Sequence, residues 1–139
     1  MVRFVDDGTG GWMGNLNDFI TRATSFNTHL IAEYGLEITH KIKPYDQYIE
    51  FLDIKYKFDN QGLPKTDLYI KPTDCHRFLN YSSFHPRHVF RSVVYSQALR
   101  YKRIISDTHL LTIRLNSLKA YFIDCGYPPS MISSVLRVE

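Results

Sequence analysis

The sequence feature that most restricts the fold is a change in hydrophobic periodicity at Pro72-Thr73-Asp74. Before this point, short runs that alternate apolar and polar residues between turn residues predict β-strands, together with one amphipathic helix. After it, apolar residues recur at three- and four-residue spacing, which predicts helices. We therefore predict an α+β chain with a helix-and-sheet region over residues 1–73 and a helical region over residues 74–139.

Four helices are predicted from this spacing and from the residues that flank each segment. The first runs from about Leu16 to Tyr34, where Asn15 or Asn17 can cap its start and Gly35 can end it. Its apolar residues recur on one side and predict a buried face: Phe19, Ile20, Ala23, Phe26, Leu30 and Ile31. The second starts at His85-Pro86, the third follows Ser106-Asp107, and a short fourth helix follows Gly126-Tyr127-Pro128-Pro129.

The first half of the chain contains four segments with the pattern of strands. Residues 1–5 predict a strand, and Asp6-Asp7-Gly8 predicts a tight turn after it. Residues 36–43 predict a half-buried strand that Pro44 ends. Residues 48–58 and 66–71 flank a turn at residues 59–62, and together they predict an antiparallel hairpin.

The charges divide the sequence at nearly the same place. Residues 1–74 carry 8 Lys/Arg and 11 Asp/Glu, a balance of −3, whereas residues 75–139 carry 9 and 3, a balance of +6. No acid occurs between Cys75 and Ser106, and this stretch holds the residues that we predict to contact phosphates: Arg87, Arg91, Arg100, Lys102 and Arg103. The pattern favours a polyanionic partner, and the alternative is a solvated basic face that binds nothing specific.

An adjacent pair of acids, Asp6 and Asp7, lies in the sequence Phe4-Val5-Asp6-Asp7. Two carboxylates at a bend can share divalent cations, and oxygen ligands suit Mg²⁺. The alternative is an ordinary Asp-Asp-Gly surface turn.

Several further segments occur in a fixed order after the acidic pair and Trp12. They are Ile49-Glu50-Phe51-Leu52-Asp53-Ile54, Leu68-Tyr69-Ile70-Lys71-Pro72-Thr73-Asp74, Ser83-Phe84-His85-Pro86-Arg87-His88 and Tyr95-Ser96-Gln97-Ala98-Leu99-Arg100-Tyr101. This succession resembles the reverse transcriptases of Penelope-like retroelements, from the end of the palm into a helical thumb.

The resemblance implies RNA-directed DNA synthesis with an RNA template and a DNA primer, whose RNA–DNA hybrid duplex the thumb would grip. It implies that Asp6 and Asp7 are catalytic ligands of Mg²⁺ or Mn²⁺, and that Phe51, Leu52 and Asp53 form a primer grip. It also implies that residues 1–73 are the last part of the palm and that residues 74–139 are the thumb.

Two departures from the family pattern lower the expected activity. Gly8-Thr9-Gly10-Gly11 replaces a bulky apolar strand, and the sequence starts at the acidic pair, without fingers or the partner aspartate. We therefore expect no polymerase activity from these 139 residues alone. Two alternatives remain: a non-catalytic, basic nucleic-acid-binding module, and a chain that self-associates through an exposed edge of the palm sheet.

The two cysteines, Cys75 and Cys125, lie far apart, and we expect free thiols in a reducing compartment. A zinc site that also uses His76, His85 and His88 is a weaker alternative, because the spacing matches no common zinc pattern. No apolar run approaches the length that crosses a membrane, and the first residues lack a secretory pattern. An intracellular protein, nuclear or cytoplasmic, is therefore expected.

Overall fold

A computed structural model describes residues 2–4, 7–44 and 46–136. It is a small α+β fold whose described part contains a three-stranded antiparallel sheet, a two-stranded hairpin and four helices. The chain forms two compact units, residues 1–44 and residues 45–139. The functional boundary predicted near residue 73 falls inside the second unit and stays a prediction.

The first unit contains a short hairpin and one long helix. Strand β1 (Val2–Phe4) pairs antiparallel with β2 (Asp7–Thr9), with Phe4 opposite Asp7. Helix α1 (Leu16–Tyr34) begins where the Asn15 side chain accepts a hydrogen bond from the Asn17 N–H at 2.8 Å. It ends at Gly35, whose φ of 63° suits a residue without a side chain. Both predicted ends of this helix are confirmed.

The prediction that one face of α1 is buried is wrong, as far as the described residues show. None of its residues is buried, and Ile20, Phe26 and Ile31 are each 44% exposed or more. Phe19 gains partial cover from the rings of Trp12 and His40, at centroid distances of 5.5 and 6.2 Å. The spacing of apolar residues identified the helix, but it could not supply a partner for its apolar face.

The predicted strand over residues 36–43 is also wrong. This segment forms no regular secondary structure and belongs to neither described sheet. The N–H of Ile38 instead donates to the Asn27 side chain at 2.7 Å. Alternation of apolar and polar residues alone therefore does not make a strand, which requires a neighbouring strand to pair with.

The second unit starts with the sheet, in the order β3 (Ile49–Phe51), β4 (Ile54–Phe58) and β5 (Pro64–Leu68). An antiparallel return strand after the turn at residues 59–62 is confirmed, but it spans Pro64–Leu68 and not the predicted residues 66–71. The single strand predicted over residues 48–58 is wrong, because it folds back at Leu52-Asp53. Leu52 has a φ of 56°, an uncommon value for a branched residue, and no glycine or asparagine marks this turn in the sequence.

Three helices complete the second unit: α2 (Arg87–Ile104), α3 (Thr108–Asp124) and α4 (Pro129–Leu136). All three predicted helices are confirmed, and the Asp107 side chain caps α3 by accepting from the Leu110 N–H at 2.7 Å. They pack on each other around one core, whose helical members include Phe90, Val94, Ala98, Tyr101, Leu118, Phe122, Ile132 and Val135.

Polar contacts fix the sheet to the helices. The N–H of Ser106, between α2 and α3, donates to the Thr66 carbonyl at 3.2 Å, and the Thr66 N–H donates to the Ser106 hydroxyl at 2.9 Å. Asp67 is 2% exposed and accepts from Arg114 of α3 at 2.8 and 3.2 Å, while Lys55 lies 3.0 Å away. The sheet and the three helices therefore form one packed body.

Candidate nucleic-acid interface

Helices α3 and α4 are joined by a tight four-residue connection, residues 125–128. Gly126 adopts a φ of 85°, and its N–H donates to the Ile123 carbonyl at 2.9 Å. The next residue, Tyr127, is 1% exposed, and its ring lies 5.0 Å from that of Phe122. Two helices joined by a turn of three or four residues that contains glycine are the arrangement found in a helix-turn-helix motif.

Helix α2 runs beside α4 in the same direction. Near its start, the ring of Phe90 lies 5.8 Å from that of Tyr127, which precedes α4. Further along, Tyr95, Leu99 and Lys102 line a shallow groove together with Val135 and Leu136 at the end of α4. The exposed surface of α4 is therefore continuous with that of one edge of α2.

That edge carries positive charge. Arg87 and Arg91 are exposed and Lys102 is partly buried, and the helical repeat places the three within about 60° of one another. Tyr95 lies between them and is 50% exposed. We call Arg87, Arg91, Tyr95 and Lys102 the α2 stripe. Because α2 contains no acid, no carboxylate of this helix opposes the charge of the stripe.

Arg100 and Arg103, which the sequence also places in the interface, lie away from the α2 stripe. Arg100 donates to the carboxylate of Asp53 at 2.7 and 3.1 Å, whereas Arg103 is exposed. The two residues are three positions apart in α2 and share a face of the helix, as predicted, although the Arg100 side chain is directed toward the β3–β4 turn. Contact of either residue with nucleic acid stays a prediction.

The three residues predicted as a primer grip lie together at the β3–β4 turn. Phe51 ends β3 and is partly buried, Leu52 is 40% exposed, and Asp53 holds Arg100. The turn is thus tied to α2 by an ion pair between two half-exposed side chains. Nothing in this geometry tests contact with a primer, which stays a prediction.

The acidic pair is described only in part. Asp6 lies outside the described residues, and Asp7 is exposed in β2. Within the described ranges, no three His, Cys, Asp or Glu side chains group as metal ligands would. A single described carboxylate does not make a two-metal site, so the predicted Mg²⁺ site stays a prediction.

Both cysteines are free thiols, as predicted. Cys75 is exposed, and the sulfur of Cys125 lies 3.8 Å from the Phe78 carbonyl oxygen. The ring of His76 lies against that of Tyr121 at a centroid distance of 4.1 Å and an interplanar angle of 32°, so this histidine packs against α3. In the described part of the chain, these residues do not assemble into the alternative zinc site.

Comparison with known protein families agrees with the helix-turn-helix geometry. The family model of the animal helix-turn-helix domain matches residues 77–137. This segment contains all of α2, α3 and α4 and covers less than half of the chain. No curated protein and no solved structure matches the sequence. A helix-turn-helix domain is consistent with binding to nucleic acid.

This match corrects the resemblance drawn from the sequence. The helical region was identified as the thumb of a Penelope-like reverse transcriptase, but it matches a helix-turn-helix domain, so that assignment is wrong. A reverse-transcriptase palm is likewise not confirmed in the sheet region. The motif was not predicted from the sequence, because Gly126-Tyr127-Pro128-Pro129 indicates the end of a helix. A four-residue connection between two helices, however, is also the length of a helix-turn-helix turn.

None of the described helices combines the length and the apolar character that crossing a bilayer requires.

Proposed function

We propose that the helical unit binds double-stranded nucleic acid through α4 and the α2 stripe. The observation that carries the proposal is the match of α2–α4 to a helix-turn-helix domain whose first helix has no acid and presents Arg87, Arg91 and Lys102 beside α4. In such domains the helix after the turn enters the major groove, and neighbouring elements contact the backbone.

The chemistry of α4 indicates which kind of contact dominates. Its exposed residues at the start and middle, Ser130 and Ser134, are small and uncharged, and no described residue of α4 carries a charge. Serine hydroxyls bond to phosphates or to several base edges without strong preference. The affinity therefore comes mainly from the arginines of α2, and we expect it to depend weakly on base sequence and strongly on salt.

The length of α2 suits this role. Its 18 residues extend about 27 Å at about 1.5 Å per residue. From Arg87 to Lys102 the stripe covers most of that length, so its cations can meet several phosphates of a duplex backbone.

The test is a titration of labelled duplex DNA with the full chain between 50 and 300 mM salt, followed by fluorescence anisotropy. For R91A, the negative slope of log K against log salt should become less steep by about 0.9, the loss of one phosphate contact. R100A is the matched control, because it removes the same residue type from the same helix but from a side chain held by Asp53. Its slope should stay near that of the unaltered chain.

Two results would count against this function. Absence of salt-dependent binding would contradict the proposal as a whole. Equal changes of slope for R91A and R100A would show that the interface is not at the α2 stripe. The RNA–DNA hybrid predicted as partner from the sequence serves as a second duplex in the same titration. Tighter binding to the hybrid than to DNA would support that narrower partner.

A further inference from the structure

Phe84 has the most exposed of the large apolar side chains in the described chain, with an exposed fraction of 106%. It lies in the segment that leads into α2, three residues before Arg87, where the α2 stripe starts. We call residues 80–86 the entry loop. Single exposed apolar side chains are common on proteins, and Phe84 differs from most of them in how firmly its loop is held and in which charges surround it.

The entry loop is fixed by hydrogen bonds of its own. The Asn80 side chain accepts from the N–H and the hydroxyl of Ser82 at 2.9 and 2.7 Å. The Asn80 carbonyl accepts from the Ser83 N–H at 3.0 Å, and the Ser83 carbonyl accepts from the His85 N–H at 2.9 Å. Because these bonds lie on both sides of Phe84, the ring projects from a backbone that is ordered before any partner binds, which lowers the entropy cost of a contact.

The entry loop is attached to the core beside the turn that precedes α4. The Tyr81 N–H donates to the Cys125 carbonyl at 3.0 Å, and the Tyr81 ring lies 5.2 Å from that of Tyr127. The same ring lies 4.8 Å from that of Phe90 in α2. In helix-turn-helix domains the first residues of the helix after the turn contact base edges. The entry loop therefore holds Phe84 near the end of the domain at which bases would be contacted.

The charges around the entry loop suit nucleic acid. The sequence has no acid between Cys75 and Ser106, and the exposed Arg87 and Arg91 follow the loop in the first turns of α2. Asp124 is an exposed acid at the end of α3, beside the same turn, and the two arginines outnumber it. Cations that contact phosphates, together with an apolar ring that can contact bases, are the combination with which proteins hold and deform nucleic acid.

We propose that Phe84 inserts between neighbouring base pairs of a bound DNA duplex and bends the duplex at that step. The inference rests on the proposed function, because the α2 stripe must first hold the duplex backbone. Apolar side chains that insert in this way partly unstack the bases and kink the duplex by about 20–90°. Pyrimidine–purine steps such as TA unstack most readily. The chain would therefore select flexible steps of DNA, although the serines of α4 distinguish bases weakly.

Energy transfer across a duplex of about 20 base pairs, with a fluorescent donor and acceptor at its ends and one central TA step, tests the bend. Binding of the unaltered full chain should raise the energy transfer. F84A, with an unchanged circular dichroism spectrum, should bind about ten times more weakly and should not raise it. The salt slope of F84A should equal that of the unaltered chain, since the arginines remain. F84L, which keeps an apolar side chain, should restore the bend.

F26A is the matched control, because Phe26 is 56% exposed on α1, outside the helical unit, and its replacement should change neither the affinity nor the energy transfer. A second duplex, in which a stiff A-tract replaces the TA step, should bind the unaltered chain about fivefold more weakly, whereas F84A should bind both duplexes equally. Salt-dependent binding with the same energy transfer for F84A and the unaltered chain would overturn this inference and leave the proposed function intact. Absence of salt-dependent binding would overturn both.

Discussion

At the scale of single residues, two aspartate–arginine pairs of similar geometry lie in different surroundings. Asp67 is 2% exposed and contacts Arg114 and Lys55, whereas the side chains of Asp53 and Arg100 are 45% and 44% exposed. Exposed ion pairs contribute little because water competes for both charges. A buried carboxylate that loses its charge leaves its cations without compensation.

We therefore predict different outcomes for the two asparagine variants. D67N should lower the free energy of unfolding by about 2 to 3 kcal/mol, the low end for a broken buried pair, because Arg114 and Lys55 can still reach water. D53N, the control, should lower it by about 0.5 kcal/mol or less. Urea denaturation measures both values, and equal losses would show that burial of Asp67 contributes nothing to its ion pairs.

At the scale of elements, α1 and α2 have similar lengths but different environments. Helix α1 has no buried residue, whereas α2 buries Phe90, Val94, Ala98 and Tyr101. Most helix stability in proteins comes from packing of an apolar face, since isolated helices of this length are marginal in water.

The expected consequence is unequal protection of backbone amides. In hydrogen–deuterium exchange of the full chain, peptides from α1 should exchange at least ten times faster than peptides from the centre of α2. Peptides from α3, which buries Leu118 and Phe122, provide the internal comparison. Slow exchange throughout α1 would indicate that its apolar face is covered in solution.

The sequence predicted those elements whose ends have local causes. Asn15, Gly35 and Asp107 act through bonds to residues two to five positions away, so the limits of α1 and the start of α3 could be predicted. The fold-back at Leu52 is local but could not be predicted, because no glycine or asparagine marks the turn. A strand over residues 36–43 would need a pairing partner elsewhere in the chain, which no local pattern encodes. For the site, composition identified the cations, but only the structure showed that Arg91 lies on the α2 stripe and that Arg100 is held by Asp53.

At the scale of the whole molecule, acid stability depends on the junction between sheet and helices. Burial raises the pKa of Asp67, but hydrogen bonds from Arg114, Lys55 and the Leu68 N–H outweigh burial and hold this pKa below its usual value. A lowered pKa means that the folded state binds the proton less readily than the unfolded chain does. The stabilisation is therefore present above the unfolded pKa of about 4 and is lost as pH falls further.

We predict that the free energy of unfolding falls as the pH is lowered below about 4, where Asp67 begins to be protonated. The fall should be smaller in D67N, which has no carboxyl group to titrate at this position. Urea titrations at half-unit pH intervals measure both curves. Parallel curves for the two proteins would show that other carboxylates cause the loss of stability at low pH.

The polar contacts between the sheet and the helices also bear on the order of folding. They join residues 40 to 47 positions apart, at Thr66–Ser106, Asp53–Arg100 and Asp67–Arg114. Contacts between distant residues are favourable only after the intervening chain has closed, and this closure slows their formation. Connections of only three and four residues join α2 to α3 and α3 to α4. These helices can therefore pack together first, and the sheet of β3, β4 and β5 packs against them last.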